Sequence, residues 1–174
     1  MPVLQLIKRI HNKYLEKKSE KREVKPGDII GTSRILYEHY GVFCGDDKVI
    51  HYTLAEEGWK LEIRKTAIDD FLHSATTFFI LDFDEEGPFK SAPIKYRSFL
   101  RRIKVFSPAE TIKRAESRIG EKEYNLLSNN CEHFAVWCKT GMSESYQVEK
   151  FLKIVPRIRM KRVDSSCLSN CLTS

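Results

Sequence analysis

The order of apolar and polar positions divides the chain into a strand-rich first part and a helical second part. Short apolar segments bounded by glycine, proline or aspartate recur between Asp28 and Phe83. They predict β-strands at 28–31, 40–44, 48–53, 61–64 and 76–83. The Gly45-Asp46-Asp47 sequence between the second and third of these segments predicts a hairpin turn.

Two helices are predicted by their capping residues in the second part of the chain. Ser107-Pro108-Ala109-Glu110 is a capping box with proline at the first helical position. A later helix is predicted to have Asn129 or Asn130 as its cap and Cys131 in its first turn, and Gly141 ends it. Strands followed by helices within 174 residues predict a single α+β domain.

The N-terminal segment has the pattern of a basic amphipathic helix. Val3, Ile7, Ile10 and Tyr14 recur at helical spacing, and lysine and arginine fill the other faces. Such a helix either lies on a bilayer surface or packs on the domain. We therefore divide the chain into a basic segment at 1–24, a folded domain at 25–152, and a basic, then Ser/Cys-rich tail at 153–174 that we expect to be disordered.

Charge is concentrated at the two ends of the chain. Residues 1–26 carry eight Lys/Arg against three Glu, and residues 149–164 carry six against two, whereas the middle is mildly acidic. The chain has no nucleic-acid recognition motif and no basic face with interleaved aromatic residues, so we expect no nucleic-acid partner. Basic ends next to apolar residues favour peripheral binding to an anionic membrane surface; solvated charged tails are the alternative.

Apolar run length and cysteine content predict the compartment. No apolar run reaches the roughly 18–20 residues that cross a bilayer, and the N-terminus lacks the pattern of a secretory signal. Five cysteines, an odd number, indicate free thiols rather than a disulfide framework. We expect a cytoplasmic, peripherally membrane-associated protein, and its oligomeric state is left open.

Cys131 is the candidate nucleophile. The partial positive charge at a helix N-terminus lowers the pKa of a thiol and favours the reactive thiolate. Cys44 and Cys138 lie in apolar segments and are interpreted as unreactive core thiols. By position alone, Cys131 could equally be a buried packing residue, so the assignment depends on a matching base.

His39 and His51 lie on the two strands of the predicted hairpin, and the turn decides whether they meet. A two-residue loop pairs His51 with Val42 and puts the histidines on opposite faces of the sheet. An odd loop or a bulge pairs His51 with Gly41, which makes the histidines diagonal neighbours on one face. We expect the second register, with both histidines facing the Cys131 helix, as a base and the group that orients it.

Two sequence blocks resemble the signatures of the lecithin:retinol acyltransferase family. The first runs from His39 to Asp46 with His51 following, and the second is Asn130-Cys131-Glu132-His133-Phe134. The resemblance covers roughly residues 25–150 and implies a circularly rearranged papain-like fold with a small antiparallel sheet packed on helices. Tyr40 stands where the family commonly has tryptophan.

The family resemblance also implies an activity and a role for each site residue. Cys131 attacks a phospholipid acyl ester in phospholipase A1/A2-type cleavage, with His39 as general base and His51 orienting it. The acyl group then passes from a cysteine thioester to water, an amine such as phosphatidylethanolamine, or a lysophospholipid. No cofactor and no metal are implied.

Three other interpretations are compatible with the same residues. A papain-like thiol peptidase or amidase would use the same residue types, although there the cysteine precedes the histidines in the chain. A catalytically silent regulatory member of the family would retain them without turnover. A metal site built from His39, His51 and cysteines lacks any Cys-x-x-Cys pair to support it.

Overall fold

The computed structural model describes residues 23–35, 37–56, 60–83, 102–125, 129–152, 155 and 157–161. The predicted N-terminal helix, the segment 84–101 and the Ser/Cys-rich end of the chain lie outside the described residues. Within that part, the strands are β1 Ile29–Ser33, β2 Glu38–Gly45, β3 Lys48–Leu54, β4 Leu61–Ala67, β5 Thr77–Leu81 and β6 Arg157–Lys161. The helices there are α1 Ile68–Leu72, α2 Pro108–Glu116, α3 Cys131–Thr140 and α4 Ser145–Leu152.

The strands form one antiparallel sheet in the order β4-β3-β2-β1-β5-β6. β1, β2 and β3 follow one another as hairpin neighbours, and β5 and β6 extend the other side. An antiparallel sheet with helices packed on it is an α+β architecture, so the predicted fold class is confirmed at this level.

The hairpin between β2 and β3 has the register that places the two histidines on one face. Gly41 pairs with His51, and a β-bulge lies between Phe43 and Gly45. The turn itself has two residues, because Asp46 and Asp47 adopt φ angles of 48° and 52°. Positive φ at both central positions is the type I′ pattern that matches strand twist. The bulge, rather than an odd loop, therefore produces the predicted register.

Each face of the sheet has its own hydrophobic core. Tyr40 and Val42 of β2 belong to the larger core, which includes Phe134 and Cys138 of α3. The smaller core, on the other face, includes Phe43 of β2 and residues of α1. Because α3 packs under the middle of the sheet, its first residue, Cys131, comes to the β2 strand.

The sheet continues beyond residue 152, where we placed the end of the folded domain. Arg157–Lys161 pairs with β5 along its whole length. The Arg-Ile-Arg-Met-Lys sequence alternates basic and apolar residues with the period of a strand, and basic residues are common on edge strands. The high charge of this segment concealed the alternation. Helices α1 and α4 were likewise not predicted.

Candidate active site

The cap of α3 positions Cys131 at the first residue of the helix. The side-chain oxygen of Asn130 accepts hydrogen bonds from the backbone N–H of His133 at 3.1 Å and from its Nδ1 at 2.7 Å. Gly141 ends the helix in the left-handed conformation, with φ 78°. Asn130, one of the two predicted caps, therefore begins the helix, and Gly141 ends it as predicted.

The Cys131 thiol is buried, with 4% of the residue exposed, and lies against the backbone of β2. It donates a hydrogen bond to the carbonyl oxygen of Glu38 at 3.6 Å, and a backbone hydrogen bond from Tyr40 acts on the sulfur. The backbone N–H of Phe43 donates to the carbonyl of Asp28, on the side of β2 that faces β1. Backbone groups of successive residues point to alternate edges of a strand, so the carbonyl of Glu38 and the N–H of Tyr40 point to the edge that faces away from β1.

The strand edge that holds the thiol is one that β3 does not cover. Among the described residues, the register between β2 and β3 begins at Gly41↔His51. The carbonyl of Glu38 and the N–H of Tyr40 lie beyond that point and carry no ladder bond to β3. The Cys131 thiol thus forms hydrogen bonds with two buried backbone groups that have no partner in the ladder.

His39 and His51 are in direct contact. The distance from His39 Nε2 to His51 Nδ1 is 2.8 Å, and the ring centroids are 5.0 Å apart at an interplanar angle of 78°. Both residues are buried, at 8% and 2% exposure. A hydrogen bond between one Nε2 and the next Nδ1 fixes the orientation of the first imidazole, as expected for a base and its orienting group.

The prediction that both histidine rings face the Cys131 helix is wrong. Phe71 of α1 stacks on His39 with ring centroids 5.1 Å apart, and it meets the edge of His51 at 5.2 Å. Neighbouring strand residues point to opposite faces, so Tyr40 reaches the core beneath α3 and His39 points the other way. The histidines share a face in the register that we expected, but α1, which covers that face, was not predicted.

The structure therefore joins the two histidines to each other and joins Cys131 to the neighbours of His39 along the chain. Within the described residues, no hydrogen bond links the Cys131 thiol to His39 itself. The thiol lies at the edge of the strand, between the α3 face and the α1 face.

Burial holds all three groups in their neutral forms. Burial raises the pKa of the Cys131 thiol to about 11, although backbone hydrogen bonds act in the opposite direction. It lowers the pKa of His39 to about 3, aided by His51 and Arg34, and lowers the pKa of His51 to about 4. The expected lowering of the thiol pKa by the helix N-terminus is therefore outweighed by desolvation.

Thr66 of β4 is a site residue that the sequence did not reveal. Its hydroxyl oxygen lies 2.9 Å from His51 Nε2 and donates to the carbonyl of Ala67 at 3.1 Å. The predicted strand ended at Arg64, two residues before it. Lys65 interrupts the apolar–polar alternation, so no signal in the sequence indicates that the strand continues to residue 67, and a threonine in a strand carries no indication of a histidine partner.

Arg157 of β6 binds two side chains of the β2 segment that contacts the thiol. Its guanidinium forms an ion pair with Glu38 and donates to the Tyr40 hydroxyl at 3.2 Å. The Tyr40 hydroxyl in turn donates to Glu38 at 2.6 Å. These three side chains thus connect β6 to the residues on either side of His39.

The remaining cysteines of the described part have a different setting. Cys138 is buried in the core beneath α3, and burial raises its thiol pKa to about 12. Cys44 is half-buried, with its thiol pKa raised to about 11 by the same cause.

In the described residues, no group of three or more His, Cys, Asp or Glu side chains is arranged to hold a metal ion. No helix there is both long enough and apolar enough to span a bilayer.

These features define an α+β protein with a buried histidine pair on adjacent strands and a helix-initiating cysteine against the backbone of one of those strands. The chain belongs to the lecithin retinol acyltransferase family, whose sequence model matches residues 22–144. The family resemblance of the two sequence blocks is thereby confirmed.

Curated relatives of three names share this similarity. Lecithin retinol acyltransferase of Rattus norvegicus is 29% identical over 171 aligned residues, which cover 84% of this chain and 66% of that protein. Phospholipase A and acyltransferase 3 of Homo sapiens is 32% identical over 132 residues, covering 72% of this chain and 76% of the relative. Phospholipase A and acyltransferase 4 of Homo sapiens is 27% identical over 146 residues, covering 76% and 79%.

Proposed function

We propose that this protein is a thiol-dependent phospholipid acyl hydrolase and acyltransferase, with Cys131 as nucleophile, His39 as general base and His51 as the group that orients it. The observation that carries the proposal is the 2.8 Å contact between His39 Nε2 and His51 Nδ1. It commits one ring nitrogen of His39 to His51 and leaves the other for the thiol, which lies against the backbone on both sides of His39.

The chemistry begins with proton transfer to His39 Nδ1. Within the described residues, that nitrogen has no hydrogen-bond partner. The thiol proton moves to Nδ1 as the sulfur electron pair attacks the carbonyl carbon of an acyl ester. The C–O bond to the leaving alcohol then breaks, and the alcohol takes the proton from Nδ1. A thioester on Cys131 and a lysophospholipid result.

The second half of the reaction reverses these roles. An acceptor with an O–H or N–H gives its proton to His39 Nδ1 and attacks the thioester carbonyl. The C–S bond breaks, and the thiol regains the proton. Water as acceptor yields a fatty acid; an amine such as that of phosphatidylethanolamine or the hydroxyl of a lysophospholipid yields an acylated product.

Burial of the site favours attack that is coupled to proton transfer. A thiol with a pKa of about 11 and an imidazole with a pKa of about 3 do not form a stable ion pair before substrate binds. Charge then develops only as the carbonyl oxygen becomes negative. The backbone N–H groups of Cys131 and Glu132, which already act to lower the thiol pKa, are the available donors for that oxygen.

The lipid substrate and the papain-like relationship are parts of the same proposal. The relatives are named as lecithin retinol acyltransferases and as phospholipases A and acyltransferases, which supports a phospholipid acyl donor. The order of His39, His51 and Cys131 along the chain supports a circularly rearranged papain-like fold, because papain-like peptidases have the cysteine first. Peripheral binding to an anionic membrane from the cytoplasmic side completes the proposal and rests on the basic ends of the chain.

The test is turnover of phosphatidylcholine by the purified protein, with and without phosphatidylethanolamine, with products identified by mass. We expect free fatty acid or N-acylated lipid, and a Cys131-linked acyl adduct in the protein mass. Cys131→Ala and Cys131→Ser should abolish turnover. Cys138→Ala is the matched control: it should cost roughly 1 kcal/mol of stability and retain turnover.

Two results would contradict the assignment. Full turnover by a folded Cys131→Ala protein would mean that another group is the nucleophile. Hydrolysis of peptide or amide substrates with no action on phospholipid would replace the lipid assignment with a thiol peptidase.

His39→Gln should also lose turnover. Glutamine keeps a polar group of similar size at this position, but it cannot act as a general base.

A further inference from the structure

The hydroxyl of Thr66 lies at the far end of the histidine pair. Its oxygen is 2.9 Å from His51 Nε2 and 3.1 Å from the carbonyl oxygen of Ala67, to which it donates. A hydroxyl carries one hydrogen, and a carbonyl oxygen can only accept. With that hydrogen given to Ala67, the Thr66 oxygen is an acceptor, and the hydrogen between Thr66 and His51 must reside on Nε2 of the histidine.

This arrangement has a consequence at the other end of the pair. A neutral His51 with its hydrogen on Nε2 presents a lone pair at Nδ1. That lone pair accepts the Nε2 hydrogen of His39 across the 2.8 Å contact. His39 then has its own lone pair on Nδ1, which is the form that can take a proton from Cys131. One hydroxyl thus selects the tautomers of two imidazoles.

The opposite set of tautomers also has partners in the structure. The Nδ1 of His51 lies 3.0 Å from the carbonyl oxygen of Tyr52, which accepts a hydrogen if Nδ1 carries one. In that case His51 Nδ1 also donates to His39 Nε2, and the hydrogen of His39 moves to its Nδ1. The base is then blocked. This set requires Thr66 to turn its hydrogen from Ala67 to His51 Nε2.

We propose that Thr66 is a positioning residue that holds His51 in the Nε2–H tautomer and thereby keeps His39 Nδ1 free to accept the Cys131 proton. The inference rests on the proposed function for its catalytic consequence, but the tautomer of His51 is a property of the resting protein. Thr66 contacts neither substrate nor sulfur; it acts through His51, and no proton passes to it during the reaction.

The test compares Thr66→Val with Thr66→Ser in the full chain. Valine has nearly the shape of threonine without the hydroxyl, and serine restores the hydroxyl. Thr111→Val is the control, because Thr111 loses an equivalent hydroxyl bond to the Ser107 carbonyl in α2, away from the histidines. Two readouts are used: the 15N chemical shifts of His51 without substrate, and kcat and KM for phosphatidylcholine in mixed micelles.

We expect wild-type His51 to show a protonated Nε2 and an unprotonated Nδ1. Thr66→Val should shift the hydrogen toward Nδ1 and lower kcat about tenfold with little change in KM, roughly the effect of one lost hydrogen bond. Thr66→Ser should restore both readouts to within about twofold. Thr111→Val should lower stability and leave the His51 shifts and kcat unchanged.

The inference is overturned if wild-type His51 carries its hydrogen on Nδ1, or if Thr66→Val leaves both the shifts and kcat as in the wild type. A decrease in kcat that serine does not rescue would assign Thr66 a packing role instead. If the wild type turns over no phospholipid, the proposed function fails, and the 15N shifts still decide the role of Thr66.

Discussion

The carbonyl oxygen of Glu38 accepts the thiol hydrogen of Cys131 at 3.6 Å, across 93 residues of sequence. This contact brings the start of α3 to the one edge of β2 that β3 leaves uncovered. The cysteine thus belongs to a helix on one face of the sheet, and the side chain of His39 lies on the other face against Phe71. The sulfur lies at the strand edge, level with the backbone of His39.

Replacement of Arg157 should disturb this contact. Arg157→Met removes the ion pair to Glu38 and the hydrogen bond to Tyr40. The β2 segment that contacts the thiol then has no side-chain interaction with Arg157 to fix its position. We expect a loss of about 1 kcal/mol in stability and a several-fold lower kcat. Lys65→Met is the control, because Lys65 forms an exposed ion pair with Glu116 and contacts neither Glu38 nor Tyr40. Equal kcat in the two variants would contradict this role of Arg157.

Phe71 should matter to catalysis as well as to packing, because its ring stacks on His39 and meets the edge of His51. Phe71→Leu is expected to cost about 1–2 kcal/mol of stability and to lower kcat by loosening the histidine pair. Phe78→Leu changes the same core at a ring that, within the described residues, stacks on no histidine, and it should cost similar stability with kcat retained. Urea unfolding and turnover of a short-chain phospholipid are the measurements; if both variants lose kcat equally, the stacking has no specific role.

Stability should fall as the pH is lowered from about 6.5 toward 4. The pKa values of His39 and His51 are lowered in the folded protein to about 3 and about 4, from 6.5 in the unfolded chain. The unfolded state therefore binds more protons in this window, and the stability that is present above pH 6.5 is lost on acidification. Each histidine contributes up to about 1.4 kcal/mol per pH unit.

Urea unfolding at a series of pH values measures this slope. His51→Gln removes one of the two titrating groups, so we expect a distinctly shallower dependence between pH 6.5 and 4.5. His73→Gln is a suitable control, because His73 is exposed and lies outside the pair. An unchanged slope in His51→Gln would mean that His51 is not held neutral by burial.

The Cys131 thiol should react slowly with alkylating reagents in the resting protein. Only 4% of the residue is exposed, and burial raises its thiol pKa to about 11. At neutral pH we expect iodoacetamide to modify it at least about a hundredfold more slowly than in the urea-unfolded chain. Peptide mass mapping after timed labelling gives the rate at each cysteine, and rapid labelling of native Cys131 at pH 7 would show an activated thiolate instead.

The basic N-terminal segment should bind anionic vesicles in a salt-dependent manner. Residues 1–26 hold eight Lys/Arg against three Glu, and each basic side chain near such a surface contributes about 1 kcal/mol. Deletion of residues 1–20 should weaken co-sedimentation with anionic vesicles and leave turnover of a soluble short-chain ester unchanged. High salt should release the full chain. Equal sedimentation with neutral and anionic vesicles, insensitive to salt, would show that the segment is only a solvated tail.

Features that depend on a few neighbouring residues could be predicted from the sequence. The capping box at Ser107 forms as expected, with Glu110 bonded back to the cap, and Asn130 begins α3. These contacts span three residues, so local hydrogen bonding decides them whatever surrounds them. The hairpin and its two candidate histidines were predictable for the same reason, because strand alternation is local.

The tertiary structure decided which of these local features contact one another and how far each is buried from solvent. A bulge in β2 selected the histidine register, and α1 selected the aromatic partner of the pair. Thr66 became a partner of His51 only because β4 pairs with β3. Burial reversed the pKa shift expected for Cys131 at a helix N-terminus. Apart from the bulge, which lies within the hairpin, these outcomes depend on residues distant in the chain, since desolvation and long-range pairing are set by the whole fold and not by the neighbours of a residue in sequence.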